Sequence, residues 1–173
     1  MLFRSYDLSG KYGIGYTLKG EEFWFDLEDF NLIERYCWYK HHDYFVAKIN
    51  GKEIGLHKLV MNDLENQCDI DHIKTENKFD NRKLNLRNAT RHQNSCNQKL
   101  STNNSSGVTG VRWHNRDKVW EAWIKINYEN KYLGRYLNFE DAVMARKTAE
   151  ERYYGEYSYD NSQMTYKKSI IGE

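Results

Sequence analysis

The stretch DIDHIKTENKFDNRKLNLRNATRHQNSCN, residues 69–97, decides how this chain is read. Asp71-His72 closes a short strand that also carries Ile70, and a polar, basic loop runs from Lys74 to Lys83. Leu84 to Thr90 reads as a second strand, and Arg91 to Asn97 as a helix. A hairpin with a helix laid across it brings Asp71, His72 and one helix residue together.

Those residue types suit one kind of chemistry. Breaking a phosphodiester bond requires an activated water, charge neutralisation on the phosphate, and help for the leaving oxygen. A neutral histidine supplies the first near pH 7. A hard cation such as Mg²⁺, held through oxygen ligands with open positions, supplies the other two. Asp71 offers a charged oxygen and Asn94 an amide oxygen. His92 is the other candidate on the helix, but two positions apart means about 200° around the axis, so only one of the pair faces the site, and Asn94 is preferred.

Charge is distributed to match. The formal net charge of the chain is only +1. Residues 1–70 carry 8 Lys and Arg against 12 Asp and Glu, residues 71–100 carry 7 against 3, and residues 101–173 carry 11 against 10. The middle stretch is a basic island, the footprint expected where phosphates are held, although a short basic run alone is a weak signal.

Outward from this centre, the segment before it reads as β-rich. Tyr44–Ile49 alternates, Asn50-Gly51 signals a tight hairpin, and Glu53-Ile54-Gly55-Leu56 continues it. Leu27 to Tyr36 has apolar residues at helical spacing, and residues 1–20 suggest no role. On the other side, residues 100–107 are polar and read as a linker. Beyond them Val108–His114, Val119–Asn127 and Lys131–Leu137 read as strands, with turns at 115–118 and 128–130. In the middle strand Trp120, Ala122, Ile124 and Ile126 share one face, and Glu121, Trp123, Lys125 and Asn127 the other. Asn138 with Asp141 reads as a variant capping box, Ala142, Val143, Ala145, Ala149 and Tyr153 as the apolar stripe of a helix, and Gly155 as its stop. The expected fold class is α+β: a small β-rich N-terminal part leading into a strand–strand–helix motif, then a three-stranded antiparallel sheet with one packed helix. Expected boundaries are 1–99 for the first part with its core at 56–99, a linker at 100–107, a second domain at 108–160, and a tail at 161–173.

Asp71-His72, Asp80-Asn81-Arg82, Asn85-Leu86-Arg87 and Asn94 resemble the signature of the HNH, or ββα-metal, nucleases, in the variant found in phage and bacterial homing endonucleases. The resemblance implies His72 as general base, Asp71 and Asn94 as ligands of one Mg²⁺ or Mn²⁺, and Asn85 as a brace that orients the histidine. The third segment resembles an AP2-type DNA-binding domain, through Gly110-Val111-Arg112-Trp113, Trp120-Glu121-Ala122, Leu133-Gly134 and Ala142. In that family the free sheet face enters the major groove, and the matching positions here are Arg112, Trp113, Trp123, Lys125, Tyr132 and Arg135. Arg82, Lys83, Arg87 and Arg91 are expected on phosphates at the cutting centre. The implied activity is site-specific hydrolysis of double-stranded DNA. A catalytically silent DNA-binding regulator or assembly factor on the same modules is the alternative.

The remaining features are read conservatively. His57 is expected as a packed structural residue, His41, His42 and His114 as surface histidines, and Lys167-Lys168 as a solvated end; Trp113 and Trp120 both have a strong core reading, Trp120 above all. Cys37, Cys68 and Cys96 form no CxxC pair and fit a reducing, cytoplasmic setting, the host's cytoplasm for a phage gene. No apolar run approaches the roughly 18 residues of a membrane span, and MLFRSYDLSG at the start lacks the apolar core of a secretory signal. No membrane partner and no small-molecule cofactor are expected, and no feature decides between monomer and dimer.

Overall fold

The computed structural model describes residues 5–63, 68–97 and 100–160; the tail with Lys167-Lys168, and Gln98-Lys99 at the end of the expected core, lie outside them. Among the described residues the chain is a mixed α+β fold, rich in strand, with eleven short strands in four small sheets and four helices. None of those helices is long and apolar enough to cross a membrane. The chain separates into two compact units, one running to Arg91 and one starting at His92.

The first unit opens with a meander of β1 (Ser5–Asp7), β2 (Gly13–Tyr16) and β3 (Glu22–Phe25), in the segment whose reading assigned no role. Gly13 and Gly15 are paired with Phe25 and Phe23, and a Cβ on either glycine would overlap the facing ring. Glycine there lets two buried phenylalanines lie flat on β2. The expected helix at 27–36 is present but shorter, a 3-10 turn Leu27–Asp29 followed by α1 (Phe30–Ile33). The Trp38 indole N–H donates to the Ile33 carbonyl at 3.0 Å, satisfying a group that a helix end leaves open.

A second sheet holds β4 (Tyr39–His41), β5 (Tyr44–Ile49) and β6 (Lys52–Gly55). Ile49 pairs with Lys52 across Asn50-Gly51, whose φ angles are 50° and 78°, the two-residue turn that Asn-Gly favours. Then α2 (Leu56–Val60) buries Leu56, Leu59 and Val60. The third sheet is the hairpin of β7 (Asp69–His72) and β8 (Leu86–Ala89), with a 3-10 turn at Lys83–Asn85 before β8. Ile70 and Leu86 anchor it in the same core as Phe23, Phe25 and Leu56.

In the second unit, β9 (Val111–His114), β10 (Val119–Ile126) and β11 (Glu129–Tyr136) form an antiparallel sheet with β10 central, on which α4 (Phe139–Tyr153) packs through Ala142, Val143 and Ala145. The β10–β11 turn is tighter than expected: Ile126 pairs with Glu129, so Asn127 and Tyr128 alone make the turn, with φ of 49° and 70°. Asn138 caps α4 with extended backbone, but its side chain donates to the Asp141 carboxylate at 3.4 Å and accepts no backbone N–H. Arg146 is buried within the apolar stripe, its Nη1 donating to the Trp123 carbonyl at 2.6 Å and its Nε to Glu150 at 2.9 Å. The helix α3 (Arg91–Cys96) belongs from His92 onward with this unit, so the division falls before the polar stretch 100–107. The His92 ring explains it, lying 6.2 Å from Tyr128 and 6.4 Å from Tyr154.

Candidate functional site

His72 ends β7 and is 3 % exposed. Its ring lies 5.3 Å from that of His57 and 5.9 Å from that of Tyr44. Burial is the main cause that pushes His72 down to about 4; a hydrogen bond with the Asn81 side chain opposes it, and the charge of Lys78 adds to it. His57 is pushed down to about 3, again chiefly by burial, then by His72, Lys58 and Lys78. Both rings are therefore neutral at pH 7. Lys78 reaches this corner from the loop, its Nζ 4.5 Å from the Tyr44 ring centroid and 3.6 Å from Asp43.

The loop from Lys74 to Arg82 is tied at both ends. Asn85, fully buried, accepts the Lys74 N–H at 2.9 Å through its side-chain oxygen and donates to the Asp80 carbonyl at 2.9 Å. The Ile73 N–H donates to the Asn85 carbonyl at 2.8 Å. From the other side β3 grips the loop: the Trp24 N–H donates to Phe79 at 2.8 Å and the Asn81 N–H to Trp24 at 2.9 Å. Asn81 turns its amide N–H to the Phe79 carbonyl at 3.0 Å, leaving its oxygen for the His72 ring. The N-terminal meander thus positions the residue that holds the histidine.

Asp71 is 3 % exposed and its Oδ2 accepts two hydrogen bonds from Arg87, at 2.9 Å from Nε and 2.7 Å from Nη2. Asp71 pairs with Arg87 and His72 with Leu86, consecutive rungs whose side chains leave the hairpin on alternate faces. A carboxylate is the right kind of donor for a hard cation, and Asp71 fits Mg²⁺ in that respect. A cation on Oδ2 has to share that oxygen with Arg87 or displace it. Among the described residues no three His, Cys, Asp or Glu side chains gather as a metal-binding cluster. Asn94 is half-buried on α3 in the second unit, so the first unit by itself brings together Asp71, His72 and Asn85 without it.

The basic residues expected on phosphates divide. Arg82 is a structural brace rather than a surface cation: it is 5 % exposed, bonded to both Asp80 oxygens at 2.8 and 2.9 Å, and stacked 4.4 Å from the Tyr12 ring centroid. Lys83 is half-exposed, with Nζ on Glu28 and on Asp29. Arg87 is committed to Asp71, and Arg91 is exposed.

In the second unit the strand register sets Arg112 opposite Glu121 and Glu121 opposite Arg135, one row across three strands. Arg112 also lies 5.4 Å from the Trp123 ring centroid, and Trp123 lies 4.6 Å from Tyr132. Lys125 is exposed two residues further along β10. Trp113 does not join this face. It pairs with Trp120, their rings are 5.1 Å apart, and Trp120 in turn packs 4.7 Å from Phe139 of α4. Strand alternation places it with the helix side, in line with its core reading and away from the face its resemblance implied, although it stays 40 % exposed.

Sequence reasoning gave no role to Lys78, Tyr44 or Asn81, and none to Glu121, although alternation had already set Glu121 on the free face beside Trp123. Compared with known protein families, curated proteins and solved structures, the chain has no match.

Proposed function

We propose that this chain is a metal-dependent endonuclease that hydrolyses double-stranded DNA at preferred sites, in the manner of HNH homing endonucleases. One observation carries the reading: a neutral His72, fixed by Asn81, at the mouth of a loop that Asn85 closes. His72 takes the proton of the attacking water. With Asn81 accepting from one ring nitrogen, the other is the proton acceptor. Asp71, the hard-oxygen donor of the first unit, would hold Mg²⁺ or Mn²⁺. When bound, the cation supplies charge neutralisation at the phosphate and the leaving oxygen. Lys78 adds a fixed positive charge close to the histidines, where a phosphate would arrive. Arg112, Trp123, Lys125, Tyr132 and Arg135 grip the duplex through the free sheet face.

A second reading has its own support. Arg87 already compensates the charge of Asp71, and Asp71 and His72 lie deep and on opposite faces of the hairpin. That arrangement suits a catalytically silent DNA-binding scaffold. The separating experiment uses the full chain and a supercoiled plasmid carrying candidate targets, with Mg²⁺, Mn²⁺ or EDTA, and gel-shift binding alongside. Open-circle or linear product only with metal supports the nuclease. Tight binding with no product in either metal supports the scaffold, and absence of both binding and product ends both readings.

A further inference from the structure

Glu121 is 3 % exposed although it sits on the sheet face that α4 leaves uncovered. The cover is two guanidinium groups. Its Oε2 accepts Arg112 Nε at 3.0 Å and Nη2 at 2.8 Å, and its Oε1 accepts Arg135 Nε at 3.2 Å. Arg135 is held a second time, with Nη1 2.8 Å from Asp117 Oδ2. Arg112 is steadied by the Trp123 ring beneath it. Both arginine side chains stay more than half exposed, at 63 % and 51 %.

Two arginines on a bare face have a simpler use as mobile cations for any phosphate. This row opposes that use in two ways. The carboxylate removes one of the two positive charges that would attract phosphates without regard to sequence. It also takes the Nε–Nη2 edge of Arg112 and the Nε of Arg135, whose Nη1 is held by Asp117, so that each guanidinium is fixed and turns remaining N–H donors away from the sheet. A planar guanidinium held in register is what reads the O6 and N7 acceptors of guanine in the major groove.

We propose that Glu121 is a specificity-determining positioning residue. It holds Arg112 and Arg135 for guanine readout and suppresses their indiscriminate phosphate binding. The inference rests on the DNA-binding reading of this face. It assigns Glu121 no contact with DNA; it acts through the two arginines.

The test uses the full chain in EDTA, so that cleavage plays no part. A preferred duplex is selected from a randomised pool, and Kd is measured on it and on a scrambled duplex over a range of salt. Glu121→Gln keeps the size of the side chain and removes its charge. It is expected to narrow the preferred-to-scrambled Kd ratio about tenfold and to steepen the salt dependence by about one phosphate contact. Replacing contacted guanines by 7-deazaguanine is expected to weaken the native chain and leave Glu121→Gln unaffected. Arg112→Lys, which keeps the charge and loses the planar fork, is expected to narrow the preferred-to-scrambled Kd ratio likewise. Unchanged ratios in both variants overturn the inference while leaving DNA binding in place. No binding of the native chain to any duplex overturns the DNA reading with it.

Discussion

His57 and His72 are buried bases that the fold keeps neutral, and that has a consequence for stability. Both titrate in the folded chain well below the 6.5 of an exposed imidazole, at about 3 and about 4. As pH falls, the unfolded chain binds protons first, so the stability these groups confer is fully present above about pH 6.5 and is lost progressively below it. Each histidine contributes a slope of up to about 1.4 kcal/mol per pH unit between its two pKa values. Urea midpoints measured in EDTA are expected to fall between pH 6.5 and 5, and to fall less steeply in His57→Phe. A flat profile over that range would show that the rings are hydrated.

Arg82 offers a second residue-scale test. Asp80 is fully buried and bonded to the guanidinium through both oxygens, so Arg82→Ala strands a buried carboxylate. A loss of about 3–5 kcal/mol is expected in denaturant unfolding, against the few tenths of an exposed phosphate-binding arginine. The basic island at 71–100 was legible in the sequence, but the partners of its members were not. Asp26, Glu28 and Asp29, which take up Lys83, lie more than fifty positions upstream.

At the scale of elements, local chemistry read well where it was strong. Asn50-Gly51 made its hairpin, and both strands around the Asp71 site formed, the second shorter than read because Lys83–Asn85 make a 3-10 turn before it. Reading failed where pairing overrode local preference. The turn was read at 128–130, yet the pairing of Ile126 with Glu129 sets it one residue earlier, at Asn127-Tyr128, with Tyr128 at a φ of 70°. A side chain in that region costs about 1–2 kcal/mol, of which glycine's extra freedom in the unfolded chain returns a part. Tyr128→Gly is therefore expected to stabilise the chain by about 0.5–1 kcal/mol and to raise Tm by a few degrees. A lower Tm would mean that the Tyr128 ring, 6.2 Å from His92, stabilises more than its backbone strains. Trp113 carried two readings, packed core and DNA contact, and the register with Trp120 sets it on the helix side of the sheet. The N-terminal meander was invisible as a functional part, because its contribution is a pair of backbone hydrogen bonds to the loop around Asn81.

For the whole molecule, the residues proposed for the chemistry, His72 and Asn85, and those proposed for the grip, the Arg112–Glu121–Arg135 row, fall in different compact units. Loss of cutting and loss of binding should therefore separate by mutation, which is the central claim. The direct measurement is plasmid cleavage in Mg²⁺ and duplex binding in EDTA on the same preparations of the native chain and His72→Ala, with folding checked by circular dichroism. The account predicts a fall in cleavage rate of about a hundredfold or more, the scale of a lost general base, with the Kd for DNA unchanged. Cleavage by His72→Ala at the native rate would contradict it.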